Sequence, residues 1–451
     1  LPGRGEVRAW RNARGLRQLT SLGSLTSAHY PDLEDAELDK EITRFADMSP
    51  HPMNMKDILD MEDVVQAARF IHKEVPIRYA ERIRSIEALD GWRDVPDLVE
   101  VHRRHVEVFR DIRTVKSVPR RASFSDPSIM FAFTETVRKV SDMQADVHLR
   151  LALAMHKAHT LRPDVFTSTF VDHWLDDFLL NWIGSELLLS QYLACASFRP
   201  TGVIDTECDV AGVCREVAVQ MQEMCKDLIG RVPLVVVESH SAAGDDRGAP
   251  KFSYIPGFLK YILQEIVKNA CRATLDVSPN HNWLVRRKIK IIVCANHMEV
   301  AIRISDRAKG IPFEVGPQVW SYMYSTGRKA GRADDLAADG AHGRPVDVQG
   351  ATPLAGYGLG LPLSRLYARY LGGSLDLVSW PGYGTDVRIS LPRLDTDLRE
   401  VVPDRDALRS ASTGGWTKAS AEELLNEHLR RGDMRVREFL DWVFDDSRKN
   451  S

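Results

Sequence analysis

The sequence predicts an α+β chain: an antiparallel helical bundle followed by an α/β sandwich. Three observations predict it. From about Leu38 to Leu228 apolar residues recur at three- and four-residue spacing, with no strand alternation between them. Near Gly230 the pattern switches to short Val- and Ile-rich runs that alternate with helical stretches. The 451 residues, 44% hydrophobic and 27% charged, are enough for two or three domains with real cores.

Residues 1–36 form a basic N-terminal segment, in which Leu1 to Pro31 carries five arginines (Arg4, Arg8, Arg11, Arg14, Arg17) among Leu, Ser and Thr against one acid, Glu6. Such a start reads as a transit-peptide remnant or as a basic tail. Residues 37–229 form the bundle, about four long helices. Pro76 is expected at a helix start after Glu74-Val75. Phe131–Ala158 is periodic throughout, and Phe166–Ala196 is a long helix carrying Trp174, Phe178, Trp182 and Leu187. The second domain, residues 230–394, opens on the valine-rich run Leu234–Val237 and the turn-rich Ala242–Pro250. Helix Ile255–Thr274 follows. Lys288–Cys294 and Val300–Ile304 bracket Asn296-His297 as a hairpin. A helix from Leu361 to Leu371 stops at Gly372-Gly373. Leu375–Val378 and Val387–Leu391 flank Pro381-Gly382-Tyr383-Gly384 as a second hairpin. Residues 395–451 read as a charged C-terminal arm with short helices at Ala419–Arg431 and Met434–Phe444.

Composition removes several function classes. Sixty Lys+Arg against 63 Asp+Glu give a formal charge of −3, without the basic excess of a nucleic-acid binder. No apolar run approaches the length of a membrane span. The six cysteines include no C-x-x-C pair, so zinc-ribbon and thioredoxin readings fall. His102/His105 and His156/His159 have helix-face spacing, but no carboxylate or thiol completes a metal site, and they read as solvated faces. Asp172, His173, Asp176 and Asp177 likewise lack a further ligand.

The chemistry concentrates in the second domain. On helix Ile255–Thr274, Ile255, Leu259, Ile262, Ile266 and Ala270 form one apolar stripe. Glu265, Lys268, Asn269 and Arg272 stand at i, i+3, i+4 and i+7 and share a polar stripe beside it. A carboxylate, an amide and two cations thus stand together, and an Asn in mid-helix is a poor choice for helix stability alone. Arg303 to Pro312 is a strand running into a turn with an acid, Asp306, placed to accept from an adenine amino group. Gly310 allows close approach of backbone to a flat base. Gly356-Tyr357-Gly358-Leu359-Gly360-Leu361 directly precedes a helix, so free N–H groups and the helix dipole make an anion cradle. The spacing is not that of a P-loop.

In this order, with Gly384-Thr385 entering a strand, the blocks resemble the ATP-binding fold of the GHKL group, which includes gyrase-type ATPases, Hsp90-like chaperones and histidine kinases. Glu265-x-x-Lys268-Asn269 is similar to its N box, Asp306–Gly310 to its first glycine box, and Gly356–Leu361 to its second. Tyr261–Thr274, Ser321-Tyr322-Met323-Tyr324-Ser325-Thr326, Gly360–Tyr367 and Gly382–Asp386 are similar to the mitochondrial pyruvate and branched-chain 2-oxoacid dehydrogenase kinases. The wording is mixed between these two branches.

That resemblance implies an ATP-dependent protein serine kinase of the mitochondrial matrix, phosphorylating and inhibiting the E1α subunit of a 2-oxoacid dehydrogenase. It implies Glu265 as general base and Asn269 as the Mg²⁺ ligand. Lys268 and Arg272 would face the triphosphate or order the base. Asp306 would read adenine, with Gly310 and Thr385 nearby, and Ser325, Thr326, Gly356, Tyr357, Gly358, Leu359, Gly360 and Leu361 would line the nucleotide. It implies that the bundle docks the E2 lipoyl domain and carries an effector pocket, and that the chain is a homodimer. Ala308 departs from the family's first glycine box, where the position would cost on the order of 1 kcal/mol if it required positive φ. Gln144-Ala145-Asp146 stands where the family has His-Asn-Asp, and Tyr192 replaces a histidine. The segment Gly327–Ala355 reads as a long lid. Two other readings remain: a non-catalytic nucleotide-responsive binding protein, and a protein histidine kinase, for which no histidine is directly followed by an acid.

Overall fold

The computed structural model describes residues 35–61, 63–113, 126–199, 201–241, 251–295, 299–322, 324 and 358–392. The arginine-rich start, the turn-rich Ala242–Pro250, the lid Gly327–Ala355 and the two short helices expected in the C-terminal arm lie outside the described residues.

Helices α1 (Asp35–Ala46) and α2 (Met55–Leu59) precede the bundle. The bundle consists of α3 (Val64–Glu87), α4 (Pro96–Arg113), α5 (Pro127–Gln144), α6 (Val147–Leu161) and α7 (Ser168–Ala196). Helix α3 packs on α4 and α7, α4 on α5 and α6, and α7 on α5 and α6. The 29-residue α7 runs from the Thr167 cap and buries Trp174, Phe178, Trp182 and Leu187 in the core, as its spacing predicts. The periodic stretch Phe131–Ala158 is two helices, broken at Ala145-Asp146, where Asp146 turns its carboxylate to Arg104 (2.7 Å) and Arg150 (2.5 Å).

Three expectations for this half fail. Pro76 lies inside α3 and not at its start. An interior proline costs about 3 kcal/mol. Every residue from Glu74 to Ile83 is buried here, and that packing outweighs the local penalty. His105 is fully buried instead of facing solvent, with Nδ1–H donating to Val101 O (2.7 Å) and its ring against Tyr79 and Phe178. Strand β1 (Asp205–Asp209) interrupts the helical half. It pairs antiparallel with β3 (Lys251–Tyr254), and only Cys208 of its five residues is buried, too little to print an alternation.

Helix α8 (Val210–Ile229) is capped by Asp209, whose carboxylate accepts from Gly212 N (2.9 Å), and ends at Gly230 in the left-handed region. Beyond it a five-stranded sheet runs in the order β2 (Val235–Ser241), β4 (Ile289–Ala295), β5 (Glu299–Ser305), β7 (Gly384–Pro392), β6 (Ser374–Trp380). Only β2–β4 is parallel among these pairs. Both predicted hairpin halves pair, although β7 inserts between β5 and β6. Ile289, Ile291 and Val293 of β4, Val300, Ile302 and Ile304 of β5, and Val387, Ile389 and Leu391 of β7 are all buried. Helices α8, α9 (Pro256–Val277) and α11 (Gly360–Tyr370) cover the sheet, with short α10 (His281–Arg286) between α9 and β4. The α+β architecture is therefore the predicted one, a bundle followed by a sheet layered with helices. No helix among the described residues is long and apolar enough to cross a membrane.

Candidate nucleotide site

Two clusters form on α9 and at the end of β5, and a glycine closes each. In the first, α9 buries Leu259, Ile262, Ile266 and Ala270, which turns the neighbouring stripe outward. There Lys268 Nζ meets Glu265 Oε1 at 2.6 Å, both side chains partly buried, while Asn269 is exposed. The Lys268 ammonium thus lies against the Glu265 carboxylate. Arg272 lies one turn on, half-buried. The other glutamate oxygen faces the start of α11. A Cβ on Gly360 would sit 2.2 Å from Glu265 Oε2 and 3.0 Å from its Cδ. So the second glycine block reaches the N-box carboxylate at backbone distance, although 95 residues separate them in sequence. Gly358 has φ 73°, Leu359 is buried with its carbonyl accepting from Leu363 N (3.0 Å), and Leu361 follows in the first turn of α11.

The second cluster follows from strand register. Pairing of β5 with β7 sets Ser305 against Asp386. The next residue, Asp306, therefore lies beside Thr385, and its N–H donates to Thr385 O (2.9 Å). Asp306 Oδ1 accepts from Ala308 N (2.9 Å) and Thr385 N (3.3 Å), and Oδ2 has no partner among the described residues. Burial pushes this carboxyl above the usual carboxylate range, and the two N–H donors pull the other way. An adenine amino group is a suitable donor for the remaining oxygen. Gly384 makes the approach possible: a Cβ there would meet Asp306 O at 2.2 Å.

The turn after Asp306 resolves the departure at Ala308. Left-handed backbone falls on Lys309 (φ 68°) and Gly310 (φ 66°), and Ala308 is buried without positive φ. The penalty anticipated for alanine does not arise. Lys309 N donates to Tyr383 O (3.1 Å) and Gly382 N to Lys309 O (2.7 Å), which hold the lysine in its unusual conformation. Gly310 is required twice over, because a Cβ would also lie 2.3 Å from Trp380 O. Arg307 stacks on Tyr383 at 4.0 Å.

Ser325, Thr326, Gly356 and Tyr357 lie outside the described residues. One arrangement was not read from sequence. Asp172 and Asp176, set aside with His173 and Asp177 as a metal-like group lacking a further ligand, instead accept hydrogen bonds from Tyr322, at its N (2.9 Å) and its hydroxyl (2.6 Å). Among the described residues no cluster of His, Cys, Asp and Glu could hold a metal ion by itself. A lone amide such as Asn269 fits a Mg²⁺ whose other ligands are phosphate oxygens and water.

Comparison with known proteins agrees with this layout. Residues 43–213 match the family described as mitochondrial branched-chain alpha-ketoacid dehydrogenase kinase. Residues 255–395 match the histidine kinase-, DNA gyrase B- and HSP90-like ATPase family. A mitochondrial pyruvate dehydrogenase (acetyl-transferring) kinase of Arabidopsis thaliana is 31% identical over 347 residues, covering 75% of this chain and 87% of the relative. The chain belongs to the mitochondrial dehydrogenase kinase family. The corresponding kinase of Drosophila melanogaster is 27% identical over 402 residues, covering 85% of this chain and 92% of its own. Isozyme 3 of Homo sapiens is 28% identical over 402 residues, covering 85% and 94%. This chain is thus a protein kinase of the pyruvate dehydrogenase kinase type that uses ATP, and its relatives place it in mitochondria.

Proposed function

We propose that this kinase transfers the γ-phosphoryl group of ATP to a serine of the E1α subunit of a 2-oxoacid dehydrogenase in the mitochondrial matrix, and thereby switches that complex off. The target is the pyruvate or the branched-chain complex: one matched family is described as branched-chain alpha-ketoacid dehydrogenase kinase, and the relatives are pyruvate dehydrogenase kinases. The observation that carries the reading is the meeting of Glu265, Lys268 and Gly360, a carboxylate oriented by a cation beside the helix start that receives phosphates.

Glu265 is the general base for the serine hydroxyl proton. The Lys268 contact at Oε1 fixes the carboxylate, and Oε2 is the atom turned to the α11 start. Asp306 Oδ2 accepts from adenine, with Thr385, Gly310 and Gly384 shaping the base pocket. Asn269 would hold a Mg²⁺, which would supply charge neutralisation at the phosphates. Arg272, Ser325, Thr326 and the block Gly356–Leu361 complete the phosphate side. Orientation and electrostatics supply most of the rate in such a transfer.

The domain roles follow the same reading: residues 1–36 as a basic N-terminal segment, 37–229 as the bundle that docks the E2 lipoyl domain and an effector, 230–394 as the kinase domain, and 395–451 as an arm. Buried Gln144, whose amide has no partner among the described residues, supports an internal polar site in the bundle. The working form is a homodimer. Phosphosite mapping after incubation with Mg-ATP and each purified E1 tests the function. Serine phosphate on one E1α, abolished by Glu265→Gln, is expected; phosphate confined to acid-labile histidine would refute it.

A further inference from the structure

The hydrogen bonds of Asp172 and Asp176 lie outside the nucleotide clusters, yet they reach the elements that build them. The two acids stand one turn apart on α7, a bundle helix. Asp172 accepts from Tyr322 N at 2.9 Å and from the Ser321 hydroxyl. Asp176 accepts the Tyr322 hydroxyl at 2.6 Å. Tyr322 is only 6% exposed, so its ring is part of the packing between the two halves. Asp176 also lies within electrostatic reach of the Arg369 and Arg365 guanidinium groups on α11 and of the His173 imidazole on its own helix. Arg365 in turn covers the ring of Trp320 at 4.8 Å, in the 3-10 turn (Gly316–Trp320) just before Ser321. One bundle helix therefore grips both the Ser321–Tyr322 loop and α11. The N-terminal residue of α11, Gly360, is the residue seated against Glu265.

We propose that Asp176, assisted by Asp172, is a positioning residue for nucleotide binding, holding the Ser321–Tyr322 loop and α11 in the arrangement that accepts ATP. The proposal rests on the nucleotide site described above. Its energetics are those of a competent state whose population the clasp maintains. Loosening the clasp lowers that population, and the apparent affinity falls by the same factor. Once ATP is bound the loop and helix are again in place, so turnover at saturating ATP is retained.

The test uses the full chain and two variants. Tyr322→Phe keeps the ring and removes the hydroxyl that Asp176 accepts. Asp176→Asn keeps the shape and removes the charge facing Arg365 and Arg369. Calorimetric titration with Mg-ATP is expected to show Kd raised about tenfold in each, equivalent to about 1.4 kcal/mol, with kcat at saturating ATP within twofold of wild type. Asn181→Ala is the control. It lies on the same helix and removes a buried hydrogen bond to Glu81 (2.7 Å) that has no part in the clasp. Its melting temperature should fall while its Kd for ATP stays put.

A wild-type Kd in both clasp variants would overturn the proposal while leaving the site reading intact. So would an Asn181→Ala Kd raised as far as theirs, since general weakening of α7 would then account for the effect. A wild type that binds no ATP would overturn the site reading and the proposal together. If Asp176→Asn does not fold, Tyr322→Phe decides alone.

Discussion

Replacing Gly360 by alanine separates the chemistry of the site from its stability. The added Cβ would stand 2.2 Å from Glu265 Oε2 and 3.0 Å from Cδ, well inside contact distance. The obstacle is the far end of a flexible side chain, so the fold has an inexpensive response: Glu265 swings away. Alanine at a helix start also carries less backbone entropy cost than glycine, a gain of up to about 1 kcal/mol. Stability should therefore hold or rise slightly. Activity has no such escape. The swing pulls Glu265 from Lys268, now 2.6 Å away, and moves the carboxylate proposed as the base by 1 Å or more. Misplacement of about 1 Å costs on the order of 100-fold in rate, about 2.7 kcal/mol of barrier. The assay pairs phosphoryl transfer from labelled ATP to E1α with a thermal melt of the same preparation. A Gly360→Ala enzyme with kcat within threefold of wild type, or one that loses its fold along with its activity, would refute the reasoning.

Three further outcomes follow from the same geometry. Ala308→Gly should bring no gain in ATP affinity and should lower stability by about 0.5–1 kcal/mol through unfolded-state entropy. Calorimetry and urea melts check both, and a several-fold tighter Kd would show that the position does need glycine. Asp306→Asn should bind ATP more weakly yet melt higher than wild type at pH 7. The folded-state pKa of Asp306 is raised by burial, so wild-type stability falls as pH climbs from the ordinary carboxylate value, about 3.9, through the folded value. The gap in melting temperature should accordingly shrink as pH drops from 7 toward 4, and a gap that widens would contradict it. His105 behaves in the opposite sense. Burial, then the nearby Arg82 charge, hold its pKa well below the usual value, so its neutral form contributes stability above about pH 6.5 that is lost as pH falls below it. His105→Leu should flatten the decline of the urea midpoint between pH 6.5 and 5, and an unchanged slope would rule this out.

How much of this was legible in the sequence depends on the distance along the chain over which each feature is decided. The stripe Glu265, Lys268, Asn269, Arg272 is legible because a single helix places it, and the apolar stripe beside it says which way it faces. The nearness of Asp306 to Thr385 is implied by the family resemblance but not by spacing or periodicity. They lie 79 residues apart, and their contact needs the β5–β7 register, which depends on how two buried faces are matched by the whole sheet. Ala308 shows the limit from the other side. A motif spacing marks where glycines usually stand but not which residue turns left-handed, and here the turn falls on Lys309 and Gly310. Pro76 and β1 failed for different reasons. At Pro76 local preference was read correctly and the burial of Glu74–Ile83 overruled it, whereas β1 buries only Cys208 and so prints no alternation to read. The acids on α7 are the sharpest case, because Asp172, His173, Asp176 and Asp177 form a group whose spacing gives no hint of a tyrosine about 150 residues away. Buried carboxylates need partners, and a helix otherwise lined with Trp, Phe and Leu keeps two acids facing one side only where something outside the bundle supplies the donors. That requirement turns an uninformative charge cluster into a contact between the helical half and the nucleotide-binding half, and it makes Tyr322→Phe the substitution with the most to say about how the two halves work as one enzyme.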